Sequence, residues 1–452
     1  MDSKHIEAFL EGKLVLDCPK IILTPCSKAP DRKPLVGAGT IAADEPGKFL
    51  LKVFFEESFS LEEAFASLKW EVGKVIGSEH YYDLEASDIL GNTWTSVRLL
   101  PDRSVGPNGS MIKATFQDLE HIDNGHPNIK GSVVEFYFDE LIKVPLNTVV
   151  REEAKVGSEA RSFSSGLKLA RFTSNGVKFE IDNSSGRSVL QAVFETSGVS
   201  QVQVNRIFET LCFAFAHTKS WSVLVILDST ERKTLLHAVE PEPKRTRIGP
   251  PLHISHDHII SRSVWNLFDQ YFCYVTKDDN STHHPISLLN RSILESGKAS
   301  LDVQALTLSV TVESLLMDTM KEFYAVSDEL KNDICCAGKL INECGSLSPS
   351  FRQRILGALG AMKHPRAKDI LAELKKKSLI DPALVTTYGK LRNQMAHGAQ
   401  DPNADIQELF NQTSSVLVLF YQLVFLIVGY QGSFSDYGEY GYPTKEFLAE
   451  LT

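Results

Sequence analysis

The chain has 452 residues, 43% of them hydrophobic and 23% charged, which allows two or three domains whose cores need no disulfide or metal staple. Its formal charge of −10 excludes a surface coated for nucleic-acid binding, so any polyanion must be met by a local basic patch. The cysteines, Cys18, Cys26, Cys212, Cys273, Cys335, Cys336 and Cys344, are odd in number and form no CxxC, which excludes a disulfide framework and a zinc-site spacing and points to a reducing, cytoplasmic setting.

The first segment, MDSKHIEAFLEGK, is polar and has no apolar h-region, so no signal peptide is expected. Strand patterns follow. Phe49–Phe55 comes after a turn signal at Glu45-Pro46-Gly47, and Val133–Phe138 is a β-branched and aromatic run. Arg171–Thr173 and Val177–Ile181 flank Asn175-Gly176, a hairpin signal. A helix is predicted over Val202–His217, where Ile207, Phe208, Leu211 and Phe215 recur at 3–4 spacing. Trp221–Leu227 then reads as a buried strand.

The segment PEPKRTRIGPP, residues 241–251, carries four prolines and three cations and reads as a linker. Beyond it the period becomes 3.6, with helices expected at Ile259–Lys277, Pro285–Lys298, Leu301–Phe323, Asp328–Cys344, Phe351–Lys363, Ala367–Lys377, Pro382–Ala396 and Pro402–Gly429. Asp381-Pro382 and Asp401-Pro402 each place an acidic N-cap before a proline at the first helical position. The predicted class is therefore α+β: a β-rich region over 1–250 and an all-α bundle over 251–452. The most apolar run, Val416–Tyr430, is 15 residues long and broken by Gln422. A spanning helix wants about 20 apolar residues, so a buried bundle helix and no membrane contact are expected.

The chemistry concentrates in DPALVTTYGKLRNQMAHG, residues 381–398. Leu384, Tyr388, Leu391 and Met395 make one apolar stripe that packs this helix into the bundle, and Arg392 and Asn393 fall just off it, facing a cleft. His397 follows Arg392 by five residues, and the two diverge by about 140° on a continuous helix. Gly398 offers a helix stop, after which His397 would swing back toward Arg392. Arginine grips phosphate with a permanent fork of donors, and histidine moves protons near neutral pH. Asn393 would orient both, and no metal ligands cluster nearby, so neither metal nor cofactor is expected. Residues 351–400 hold ten Lys and Arg against three Asp and Glu, a net of +7, which leaves −17 for the rest of the chain. Lys390, Arg366 and Lys368, with the other cations from Arg352 to Lys377, are the expected RNA guides.

Arg392-Asn393-Gln394-Met395-Ala396-His397 resembles the Arg-x4–6-His motif of the HEPN superfamily, and the polar residue directly after the arginine fits that family's habit. Tyr388, Leu391 and Gly398 around it are similar to the ApeA-like branch, as is YYDLEASDILGNTW at Tyr81–Trp94 in the first half. The resemblance implies a helical bundle that homodimerises and brings two motifs into one cleft. It implies metal-independent endoribonuclease activity ending in a 2′,3′-cyclic phosphate, on an RNA that includes tRNA among the candidates. It also implies an anti-phage, abortive-infection role, with the β-rich half sensing a phage-derived trigger or restraining the nuclease.

Other readings stay open beside it. The alternative is a non-catalytic module whose bundle only dimerises or binds a partner protein; a third is the partner of a nucleotidyltransferase antitoxin. Glu313, in the apolar helix LTLSVTVESLLM, either steadies Arg392 across the cleft or forms an ordinary ion pair on an exposed face. HISHDH at 253–258 and His283-His284 fit no metal-site spacing and read as solvated loop residues. Lys375-Lys376-Lys377 reads as a solvated helix end and Cys335-Cys336 as small packing residues. The absence of GxxxxGK[ST], GxGxxG, GxSxG and HExxH leaves nucleotide, dinucleotide and serine-hydrolase chemistry without support.

Overall fold

A computed structural model describes residues 3–27, 33–45, 47–55, 75–106, 109–125, 129–156, 159–240, 248–254, 258–324, 326–397 and 405–449. The chain divides into two compact units, one of residues 1–204 and 219–244, the other of 205–218 and 245–452. The class is α+β, a large antiparallel sheet region followed by helices. The division departs from a boundary at 250/251 in two respects: residues 205–218 and residues 245–250 group with the helical unit.

The first unit begins with helix α1 (Ser3–Leu10), which the sequence reading did not anticipate. Its strands are β1 (Val15–Pro25), β2 (Leu35–Glu45), β3 (Lys48–Phe55), β4 (Tyr82–Ser87), β5 (Thr93–Leu99), β6 (Asp102–Gly106), β7 (Gly109–Phe116) and β8 (Asp118–Asp123). They continue with β9 (Ser132–Phe138), β10 (Thr148–Val156), β11 (Glu159–Ser174), β12 (Val177–Asp182), β13 (Ser188–Phe194), β14 (Val223–Leu227) and β15 (Arg232–His237). Among the described residues they form one sheet in the order β10-β11-β12-β13-β9-β14-β15-β8-β5-β4-β1-β2-β3-β7-β6. Asn175 and Gly176 take φ of 47° and 77°, the double left-handed turn whose twist matches that of two paired strands, and so join β11 to β12. Strand β9 alternates, burying Val134, Phe136 and Phe138 while Val133 and Tyr137 are partly exposed. Helix α1 lays Ile6 and Phe9 on the sheet, with the Phe9 and Phe49 rings stacked at 5.3 Å. Strand β14 starts at Val223, two residues later than the apolar run suggested.

The second unit holds α2 (Gln201–Phe215, from Asn205 on), α3 (His258–Val275), α4 (Pro285–Ser296), α5 (Leu301–Thr319), α6 (Asp328–Glu343), α7 (Pro349–Ala361), α8 (Ala367–Lys376), α9 (Pro382–His397) and α10 (Ile406–Val428). Helix α10 is long and apolar enough to cross a membrane by composition, but Val416 to Leu426 are all buried among the other helices, so its apolar side chains are already covered. Its start is Ile406, capped by Asp405, whose carboxylate accepts from the Gln407 amide; the Asp401-Pro402 start signal lies outside the described residues. It stops at Gly429, whose φ of 74° is the left-handed conformation that closes a helix. The unit is not wholly helical, because Gly432–Ser435 and Thr444–Phe447 pair as a small hairpin, β16 and β17. Of the linker read from the sequence, residues 241–247 lie outside the described residues.

Candidate functional site

Helix α9 sets the site. The Asp381 carboxylate accepts from the Ala383 amide at 2.8 Å, and Pro382, with no amide to satisfy, opens the helix. Leu384, Tyr388 and Leu391 are buried in the bundle core and Met395 packs at its edge. That stripe fixes the rotation of the helix, and so turns Val385, Gly389, Arg392 and Asn393 toward an open cleft of about 520 Å³. Glu313 of α5 forms one wall, and Arg366 and Lys368 at the start of α8 form the other.

Within the cleft, Arg392 turns its Nε and Nη2 toward one carboxylate oxygen of Glu313, each at 3.5 Å. Arg392 is 47% exposed and Glu313 43%, so water reaches both and the pair contributes at most about 1 kcal/mol. Arg366 gives its Nε to Asp369 at 3.1 Å while the same carboxylate accepts from the Arg366 amide at 3.2 Å, capping α8. Lys368 is exposed and has no ion-pair partner among the described residues. Tyr388 donates weakly to the Ser309 carbonyl at 3.4 Å. Burial, then the Glu313 carboxylate, push its phenol up to about 12, against the opposing pull of Arg392. The phenol therefore stays protonated at neutral pH.

Six residues singled out from the sequence thus meet: Glu313, Arg366, Lys368, Tyr388, Arg392 and Asn393. Lys390 does not join them; it is exposed and lies two residues from Arg392, on the opposite side of the helix. Arg352 does not line the cleft either; its Nη2 donates to the Cys344 carbonyl at 2.8 Å, at the end of α6.

The backbone of α9 continues to His397, so a helix break that would return His397 toward Arg392 does not occur by that residue; Gly398 and the His397 side chain lie outside the described residues. At 100° per residue the two positions are about 140° apart, whereas His397 stands only about 40° from Asn393 and about 20° from Lys390. On that wheel His397 lies on the side of α9 that carries Lys390, away from the cleft that Arg392 faces.

Among the described residues no group of three or more His, Cys, Asp or Glu could hold a metal ion. His283 and His284 have other work. His283 Nδ1 lies 2.9 Å from Glu209, and His284 caps α4 by accepting from the Ile286 amide. Glu209 in turn binds Arg206, which is 1% exposed and also donates to the Asp278 and Ser281 carbonyls. The sequence reading missed this cluster, although an Arg-x-x-Glu pair inside the apolar helix VNRIFETLCFAF was its signal. Residues 255–257 of HISHDH lie outside the described residues.

Compared with protein-family profiles, curated proteins and solved structures, the chain matches none of them. The reading of the site therefore stands on its residues and on the motif resemblance alone.

Proposed function

We propose that the helical unit is a HEPN-like endoribonuclease, cleaving RNA without a metal, in anti-phage abortive infection. The observation that carries this reading is Arg392 in an open cleft with Arg366, Lys368 and Asn393, where Glu313 is the sole lining carboxylate among the described residues. Such a cleft concentrates positive charge in a chain that is acidic overall. Arg392 holds and neutralises the scissile phosphate with its forked donors. The ribose 2′-OH attacks that phosphorus and loses its proton to a base, while the 5′-oxygen leaves and takes up a proton. The products are a 2′,3′-cyclic phosphate and a 5′-hydroxyl. His397 would be the proton-transfer group, as the motif resemblance implies, because an imidazole exchanges protons near neutral pH.

The two motif positions are about 140° apart on one helix, so the homodimer that the resemblance implies would supply the His397 of one copy to the Arg392 of the other. The protein would act in the cytoplasm, with tRNA among its substrates and the β-rich unit receiving a phage-derived trigger. A second reading, an RNA- or protein-binding module without cleavage, draws on that same angular separation and on the Glu313 partner that Arg392 already has.

The test is RNA cleavage by the wild-type chain and by His397→Ala, both in excess chelator. Loss of cleavage in the variant, with RNA binding retained, supports the nuclease; equal cleavage by both removes His397 from the mechanism. Binding without cleavage by either chain favours the module.

A further inference from the structure

The β-rich unit contains a cleft that the nuclease reading does not use. It measures about 560 Å³, the size of a small-molecule or dipeptide site. The end of α1, the β2–β3 turn, the end of β9 and segments 219–222 and 237–240 enclose it, so chain segments far apart in sequence converge there. Its floor is apolar, with Phe9, Phe138 and Ala238 all buried. Ser222 also lines it, 2% exposed, and its Oγ has no hydrogen-bond partner among the described residues. A buried hydroxyl left unpaired is costly, and such orphans mark places where a bound group completes the hydrogen bonding.

The rim charges have a definite sign. Lys219 is paired with Glu140 at 2.7 Å, His237 with Asp118 at 2.7 Å and Glu11 with Lys13 at 2.8 Å. Asp139 and Glu240 have no ionic partner among the described residues, and Lys48 is the opposing free cation. The β2–β3 turn approaches Glu240 closely at Gly47. The Gly47 φ is +90°, and a Cβ there would stand 2.6 to 3.0 Å from Glu240 atoms, so only glycine lets the turn come this close.

We propose that this cleft binds a basic, aromatic-containing peptide segment, its amine or guanidinium between Asp139 and Glu240 and its ring on the Phe9–Phe138 floor. A guanidinium or ammonium answers the free carboxylates, and the apolar floor excludes a purely ionic ligand. The proposal is independent of the nuclease reading.

The full chain is titrated with acetyl-phenylalanyl-arginine amide and with its neutral analogue, acetyl-phenylalanyl-citrulline amide. Binding is followed by calorimetry and by the intrinsic tryptophan fluorescence of the chain, to which Trp221, its ring 5.5 Å from that of His237, contributes. The arginine peptide binds saturably and roughly tenfold tighter than the citrulline peptide, and Glu240→Gln removes most of that preference. Glu195→Gln, paired with Lys178 on the β-rich unit and outside the cleft lining, leaves the affinity unchanged. Absence of saturable binding, equal affinity for the two peptides, or an unaltered preference in Glu240→Gln overturns the proposal.

Discussion

Arg392 and Glu313 stand opposed across the cleft between α9 and α5, with two guanidinium nitrogens sharing one carboxylate oxygen at 3.5 Å. That distance is long for a charge-assisted bond, and both groups are nearly half exposed. A phosphate meeting the same guanidinium bidentately would make shorter bonds, so on the proposed function Glu313 would compete with the bound phosphate.

Glu313→Gln should therefore tighten binding of a short single-stranded RNA by roughly threefold to tenfold at low salt, with the gain shrinking as salt rises. Folding stability should change by less than about 1 kcal/mol, since the lost pair is exposed. Fluorescence anisotropy across a salt series and urea unfolding measure the two quantities. Weaker RNA binding in the variant would instead make Glu313 a residue that positions Arg392.

Arg392→Lys keeps the charge and loses the fork. If the guanidinium grips a phosphate, this variant should lose most of the RNA cleavage that Arg392→Ala loses, because an ammonium offers no matched pair of donors. Lys390→Ala, outside the cleft, should stay within about twofold of wild type. Single-turnover cleavage rates separate the three variants. A Lys390→Ala defect as large as that of Arg392→Ala would place the RNA on the other side of α9.

These residues also show what was legible in the sequence. Local signals survived: Asn175-Gly176 made its hairpin, and the Leu384, Tyr388, Leu391 stripe set the rotation of α9 and so put Arg392 and Asn393 in the cleft. Lys390 falls outside the cleft because net charge along a segment ignores the helical wheel, on which it sits behind Arg392. Arg352 lies outside the cleft, with its Nη2 donating to the Cys344 carbonyl at a helix end, a position that charge counting cannot register. The hairpin β16–β17 and α1 are short and depend on packing against larger elements rather than on their own periodicity. The cleft of the β-rich unit was invisible for a related reason, since its walls come from residue 9 to residue 240 and only the fold assembles them.

Tyr388 is placed to tempt a mechanistic role, yet its phenol is pushed up to about 12 by burial and the nearby Glu313. It is protonated throughout the range in which RNA cleavage would be assayed. Tyr388→Phe should leave the shape of the pH–rate profile between about pH 6 and 9 unchanged, and should cost at most about 1 kcal/mol from the weak bond to the Ser309 carbonyl. A displaced basic limb in that profile would give the phenol a part in proton transfer.

The helical unit also carries a pH-dependent stability term in His284. Burial, then the neighbouring Arg206 charge, lowers its imidazole to about 4, opposed by Asp278. In the unfolded chain a histidine titrates near about 6.5, so the proton prefers the unfolded state. The folded pKa is the depressed one; stability is therefore full above about 6.5 and falls as the pH drops toward 4, by about 2 kcal/mol at pH 5. His284→Asn preserves the cap on the Ile286 amide, because asparagine is a good N-cap, and removes the titrating group. The urea midpoint of the full chain, followed by helical circular dichroism at pH 7.5 and pH 5, should fall less in the variant than in wild type by that amount. An equal fall in both would mean that the His284 imidazole does not carry the acid sensitivity of the helical unit.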